Sequence, residues 1–512
     1  MLFNSFLFLF LYLPVVLAGY WLAGRFAGRS AAVIWLAAAS VTFYAMAEPL
    51  HAALMAGSIL FNFVCGIRLA TTASRALLAF AVAANLVLLG FFKYADFFAA
   101  NLAAATGIDI ALLRIALPAG ISFYTFTQIA FLADAARGEV RELNFARYVL
   151  FVTFFPHLIA GPIIHHREMM PQFARARLGL GATNLAVGLS IFAVGLGKKL
   201  LLADNIAPFA TPIFAAADAG ATPSFFEAWA ATLAYALRLY FDFSGYSDMA
   251  IGLSRMFGIR LPVNFHSPYK ASSVADFWRR WHMTLSRFLR DYLYIPLGGS
   301  RRGAGRHIAA LFATMALGGF WHGASWNFVL WGALHGVLLA VNHLWRNFAP
   351  AAAMRLIAPI GMPLTFVCVV LAWVPFAAET LGGTARMYAA LAASDGITFP
   401  AAAAGKIGAL APVMQAFGVR FSGANVITLE DWRNVGIPIV GAGLLAVWLL
   451  PNTQQIFGRY RPILGVYRGD LQALKTRIAW RPTWLWAACL AVWAAASLLS
   501  LQRVSEFIYF RF

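Results

Sequence analysis

The chain contains ten histidines, and one of them, His322, stands in an otherwise apolar stretch, LGGFWHGASWNFVLWGALHG (residues 317–336). A titratable imidazole there loses hydration and gains little packing. An ionisable group inside a membrane segment is a functional hypothesis by default. The structural alternative is a neutral ring hydrogen-bonded across a helix interface. Gly319 and Gly323 suit both readings, because they permit close helix approach and equally a narrow channel.

A second histidine, His282, lies in SVADFWRRWHMTLSRFLRDY beside Arg279, Arg280 and Trp281. Those arginines would draw a phosphate-bearing, anionic substrate, or they could anchor the segment to lipid headgroups. Asp242 and Asp248, in YFDFSGYSDMA, read as internal ion pairs or hydrogen-bonded carboxylates, with Arg238 four residues before Asp242 on the same helical face. His165 and His166 have no further metal ligands at suitable spacing and read as a loop end. His335 and His343 read as packing or lining groups. Cys65, Cys368 and Cys489 lie scattered in apolar runs, without metal or disulfide spacing. No metal centre is expected, and there is no P-loop, dinucleotide fingerprint or serine elbow.

The elements that must position these groups are membrane helices. Of 512 residues, 62% are hydrophobic and 12% charged, against about 25% charged in soluble domains. Crossing a hydrocarbon core of about 30 Å takes roughly 20 apolar residues as helix. Apolar runs of that kind recur along the chain without the alternation of a β-barrel strand. The expected fold is therefore one all-α polytopic membrane domain over residues 1–512, with about 11–13 transmembrane or re-entrant helices. Within it, residues 1–110 are N-terminal spans, 111–345 the motif-bearing core and 346–512 the C-terminal spans. Helices are expected over 2–24, 31–47, 49–69, 76–92, 224–252, 308–326, 327–345, 355–377, 435–451 and 483–503. Residues 111–215 are broken by Pro118, Pro156, Pro162 and Pro208, and 378–434 are irregular. The first span has no basic n-region and reads as a retained helix.

The net charge of +19 is carried by short loops between spans, which is how cytoplasmic loops set orientation. Topology and contact with anionic lipids account for it, and nucleic acid is not an expected partner. Arg25, Arg29, Arg68 and Arg75 put 25–30 and 68–75 inside, and the N-terminus and residue 48 in the periplasm. The densest basic segment, 255–306, holds ten Lys or Arg, including Arg302. A basic loop with Arg459, Arg461, Arg468, Lys475, Arg477 and Arg481 precedes the last span. At 100° per residue, Phe277, Trp278, Trp281, Leu285, Phe288 and Leu289 share one face of a helix and Arg279, Arg280, Arg287 and Arg290 the other. Ser273 and Asp276 have capping-box spacing. The segment reads as one amphipathic helix lying in the headgroup region, with His282 at its half-wet border. His322 lies about 24 Å along a continuous helix from Arg306, at or beyond mid-depth.

FYTFTQIAFLADAARGEV (123–140), FFPHLIAGPIIHHREMMPQF (154–173), the run 237–303 and residues 317–336 resemble the membrane-bound O-acyltransferase family. Within it they are similar to the bacterial branch that contains the membrane subunit of alginate O-acetyltransferase. The resemblance implies a helical protein with a tunnel through the bilayer, transferring an acyl group from a thioester. It places the family's tunnel histidine at His322 and its second position at His282. The flanking Arg279, Arg280, Trp281, Trp321, Trp326 and Asn327 become candidate contacts for donor or substrate. It implies acetyl-CoA as a cytoplasmic donor with no bound cofactor. It also implies a periplasmic acetyltransferase partner with polysaccharide export machinery, and an inner-membrane location. His322 would act as a base or as a transient acetyl carrier.

Other acceptors, such as a teichoic acid, a lipid or a protein, would keep the family and change the substrate. A transporter with broken helices predicts inverted halves, which the sequence does not show. A non-enzymatic scaffold would not need both motif histidines. The orientation is testable on its own: a reporter fused at residue 48 should read as periplasmic, and a cytoplasmic signal would reverse the assignment.

Overall fold

The computed structural model describes residues 2–140, 142–175, 181–301, 303–422, 426–466, 476–502 and 507–508. The first helical stretch, α1 (Leu13–Ala47), doubles back at Gly28, whose φ of 83° lies in the left-handed region that glycine enters freely. The Tyr12 hydroxyl donates to the Ala39 carbonyl at 2.8 Å and the Trp35 indole to the Val16 carbonyl at 3.0 Å. Those pairings are antiparallel, so the stretch is a helical hairpin with its bend in the expected 25–30 connection. Next come α2 (Pro49–Thr72) and α3 (Arg75–Thr106). The expected end of α3 at residue 92 is corrected: the helix runs on to Thr106, with Lys93 held by the Trp321 and His322 carbonyls and Asp96 by the amides of Leu113 and Arg114.

Among the described residues, seven helical stretches are long and apolar enough to cross a membrane, and Trp484–Leu499 is a shorter apolar helix. Large apolar side chains such as Phe26, Leu50, Phe80 and Val87 are exposed. Hydrocarbon, not water, is the solvent that suits such a surface. The protein is an all-α, multi-pass membrane protein.

The proline-broken region folds into short pieces: α4 (Ile121–Ala136), α5 (Phe145–Thr153), α6 (His166–Ala174) and α7 (Ala182–Gly197). α8 (Phe225–Met256) runs through the centre and is buried over most of its length. It starts with a capping box between Ser224 and Glu227. A Cβ on Gly195 would come within 2.6 Å of the Gly245 carbonyl, and one on Gly188 within 2.7 Å of the Gly252 carbonyl. Small residues on both helices thus bring α7 and α8 into backbone contact.

A π-helical turn, Lys198–Ala203, follows α7 and supplies the partners of the central carboxylates. Lys198 Nζ lies 2.7 Å from Asp248 and Lys199 Nζ 2.7 Å from Asp242. The expected internal ion pairs are present, but with these lysines in place of Arg238. Arg238 points the other way, to the Thr211 hydroxyl at 2.7 Å. Asp248 also accepts from Thr453 at 2.7 Å and Gln454 at 2.6 Å, tying the C-terminal third to the core.

The basic segment is not one amphipathic helix. It forms α9 (Val274–Trp278) and α10 (Met283–Leu289), with a break whose sharpest point is His282 at φ 42°. Ser273 Oγ caps α9, accepting from the Asp276 amide. A single helix would leave one side wet, whereas here α10 is packed on both sides while Arg279 and Arg290 stay exposed. Trp281 is stacked on Phe277 and buried, and Arg287 is forked onto Glu168 at 2.6 and 3.0 Å. The helical hairpin α11 (Ala304–His322) and α12 (Trp326–Phe348) follows. Then come α13 (Gly361–Ala372), α14 (Leu381–Leu391), α15 (Ile437–Leu449) and α16 (Trp484–Leu499). The irregular 378–434 region contains a small parallel pair, with Thr398 opposite Arg420 and Phe399 opposite Phe421. Arg302, Arg468, Lys475 and the end of the last expected span at 503 lie outside the described residues.

Removing one partner of a buried ion pair strands the other charge, at a cost of about 3–5 kcal/mol. Asp248→Ala should therefore lower membrane abundance and the thermal inactivation temperature in detergent. Unchanged abundance and temperature would show that Lys198, Thr453 and Gln454 do not depend on that carboxylate.

Candidate functional site

α11 is continuous helix and stops at His322, because Gly323 is extended at φ −170°, ψ 156°. The chain turns through 323–325, and the Ser325 hydroxyl caps α12 by accepting from the Asn327 amide. The two helices cross almost without side chains between them. A Cβ on Gly319 would meet the Phe328 carbonyl at 2.3 Å, and one on Gly332 the Met315 carbonyl at 2.3 Å. His322 thus sits at the vertex of a tight hairpin.

Its imidazole is ringed by aromatics. Trp321 lies at 4.8 Å between centroids, Trp331 edge-on at 5.1 Å and Phe376 at 5.2 Å. His282 comes from the break between α9 and α10 and is fully buried, not half wet at an interface. Its ring meets Phe243 edge-on at 4.8 Å and lies 6.5 Å from Trp321. The Met283 amide donates to the Asn264 carbonyl at 3.0 Å, and Thr284 donates to the Asn264 side chain at 2.6 Å. These bonds hold the left-handed turn in place. Trp321 meets both rings, at 6.5 Å from His282 and 4.8 Å from His322, and Trp331 meets His322 at 5.1 Å and His335 at 5.0 Å. The fold therefore brings the two motif histidines, forty residues apart in sequence, into one site.

Three polar atoms here are buried without a hydrogen-bond partner among the described residues: Trp321 Nε1, Trp331 Nε1 and His335 Nε2. Such atoms are available to hydrogen-bond a bound group. From Trp321 a stack of rings runs away from the vertex. Phe126 follows at 5.1 Å, Phe288 at 4.3 Å from Phe126 and Tyr292 at 4.9 Å from Phe288. The Tyr292 hydroxyl donates to Asp134 at 2.7 Å and lies 3.3 Å from His165 Nδ1.

On the other side of the vertex is a cavity of about 600 Å³, whose wall includes Lys93, Gly323, Ser325, Phe376, Arg238 and Asp218. The His322 ring is 4% exposed and lies behind this wall. Gly323, the next residue, and Phe376, in ring contact with the imidazole, form the wall at that point.

The other sequence candidates are placed as follows. Arg279 is exposed, and Arg280 is half-buried and donates to Asp276 at 2.9 Å. Trp281 is buried between Phe265 and Trp373. Asn327 is buried and bridges to the Ala378 carbonyl at 2.8 Å and the Thr384 hydroxyl at 3.2 Å. Trp326 is 53% exposed and donates to Asn101, so the structure does not bring it to His322. His335 is buried and accepts from Trp278 at 3.3 Å, while His343 pairs with Asn347. His165 and His166 stand at a loop end, as expected, and are buried there: His165 is the last residue before α6 and His166 its first. No group of three or more His, Cys, Asp or Glu among the described residues is placed to hold a metal.

Lys93 and Tyr94 were missed by sequence reasoning. Lys93 Nζ reaches the carbonyls of Trp321 at 2.6 Å and His322 at 3.1 Å. Tyr94 donates to the Phe320 carbonyl at 3.0 Å. A lone lysine inside a long apolar helix was the available signal.

The model of the MBOAT, membrane-bound O-acyltransferase, family matches residues 35–374. The chain is 37% identical to the probable alginate O-acetylase AlgI of Azotobacter vinelandii, over 540 aligned positions covering 100% of both chains. It is 42% identical to the protein of that name from Pseudomonas aeruginosa, over 76% of this chain and 75% of the relative. It is also 42% identical to the peptidoglycan O-acetyltransferase of Helicobacter pylori, over 78% and 81%.

Proposed function

Since this chain belongs to the membrane-bound O-acyltransferase family and is an acyltransferase, we propose that it O-acetylates a polysaccharide outside the inner membrane. The acetyl group comes from a cytoplasmic thioester, acetyl-CoA. The similar proteins are named for acetylating alginate or peptidoglycan, and a sugar hydroxyl outside the cytoplasm is the acceptor chemistry those names share. A teichoic acid D-alanyltransferase of Streptococcus thermophilus is 27% identical over 44% of the chain, which favours acetyl over aminoacyl transfer.

The observation that carries this reading is the position of His322, at a helix vertex in a dry aromatic shell, one residue behind the wall of a cavity. With the N-terminus periplasmic, as the loop charges imply, the cavity lies toward the outer face and the ring stack from Trp321 to Tyr292 leads inward. The acceptor hydroxyl attacks the thioester carbonyl, forming the C–O bond as the C–S bond breaks. His322 takes the hydroxyl proton and returns it to the departing thiolate, a role worth about 10²–10⁴-fold in rate. Trp321 and Trp331 offer N–H groups to a substrate oxygen. The aromatic shell excludes water that would hydrolyse the thioester. His282 orients the donor end, while Arg279 and Arg280, with anionic lipids, hold its phosphates near the cytoplasmic surface. A periplasmic acetyltransferase partner and the polymer export machinery supply the acceptor.

His322→Ala should cut ester-linked acetate on the exported polymer by about 10²–10⁴-fold at unchanged membrane abundance, with peptidoglycan acetate assayed separately to identify the acceptor. His282→Ala should lower donor turnover. Normal acetylation by an abundant His322→Ala protein removes the assignment. Labelled acetate retained on the His322 peptide when acceptor is withheld would make the histidine a carrier instead of a base.

A further inference from the structure

The last four carbonyls of an α-helix have no partner within the helix. In α11 three of these belong to Phe320, Trp321 and His322, so the helix end that carries the histidine is also the end whose backbone is unfinished. Helices commonly close this gap with a left-handed glycine, but Gly323 is extended at φ −170°. The closing groups come from α3. Tyr94 donates to the Phe320 carbonyl at 3.0 Å and stacks on the Phe320 ring at 4.3 Å. Lys93 Nζ donates to the carbonyls of Trp321 at 2.6 Å and His322 at 3.1 Å, and lies 5.7 Å from the centre of the Trp321 ring. About two turns further along α3, Asn101 accepts from the Trp326 indole at 2.8 Å on the far side of the vertex.

A lysine in a membrane helix is costly unless its charge is used. Here the ammonium meets the negative end of a helix dipole and two carbonyls that would otherwise be buried without donors. It also forms part of the cavity wall, so whatever enters the cavity approaches His322 past the same group. The fixed point of the His322 main chain is therefore set from α3, not by α11 itself.

We propose that Lys93 is a positioning residue for His322: its ammonium ties the carbonyls of Trp321 and His322 to α3 and so sets the angle at which the imidazole meets the acyl group. This rests on the catalytic reading of His322 given above. A shift of about 1 Å in a reacting group can cost on the order of 100-fold in rate. Lys93→Met keeps the length and apolar stem of the side chain and removes its donors. Arginine restores a cation with several N–H donors.

The test is acetyl transfer by the full-length protein in membranes, with acetyl-CoA as donor. Lys93→Met should reach normal abundance, lose on the order of 100-fold in kcat and keep its donor KM, and Lys93→Arg should recover most of the activity. Should the methionine variant not reach the membrane, Lys93→Leu, which also lacks donors, is read in its place. Full activity of an abundant Lys93→Met protein overturns the proposal. Equal losses in the methionine and arginine variants overturn it by assigning the effect to packing. A raised donor KM with unchanged kcat makes Lys93 a donor-binding residue, and absence of both the methionine and arginine variants from the membrane makes it a folding residue. Each of those outcomes also rejects positioning. His322→Ala, run alongside, separates the two readings: an active His322→Ala protein removes the proposed function itself, whereas an inactive one beside a fully active Lys93→Met protein removes only this inference.

Discussion

A charge placed among membrane helices has no water to turn to, so its partner must come from the protein. Much of this structure follows from that constraint. Lys198 and Lys199 leave the end of α7 and enter α8, where Asp248 and Asp242 receive them. Asp248 then recruits Thr453 and Gln454, so one carboxylate joins three separated parts of the chain. Lys93 obeys the same rule with a different partner, the open carbonyls of a helix end.

The site is built from two interrupted helices whose breaks face each other. At one break the chain adopts a left-handed turn at His282, and at the other α11 stops at His322. A break in a membrane helix exposes backbone groups, and here Asn264, Ser325, Lys93 and Tyr94 satisfy several of them. The irregular backbone is thus concentrated around the proposed catalytic histidine, shielded by Trp321, Trp331 and Phe376. Aromatic walls of this kind exclude water while leaving indole N–H groups to meet a substrate oxygen.

The regular helices were legible because a span must be both long and apolar, and few other structures satisfy that pair of demands. The hairpin bend at 25–30, the extent of α2 and α8 and the continuous approach to His322 all followed from it. The basic segment was misjudged because periodicity reports which residues share a face and assumes that the other face is wet. At 283–289 both faces are packed, and the arginine at 287 points inward to Glu168. The end of α3 was placed too early for a related reason: a lysine ordinarily marks the edge of a span, and Lys93 is held well inside one.

Composition and order along the chain by themselves determined the solvent, the helical class and which side chains were candidates to move a proton. These are properties of side-chain type and of spacing within one element. Which histidine faces which, which lysine answers which aspartate and what fixes the end of α11 were decided only in three dimensions. Such pairings join positions forty to more than two hundred residues apart, and no local period encodes them. They exist because every buried polar group had to find a partner wherever the packed helices happened to offer one.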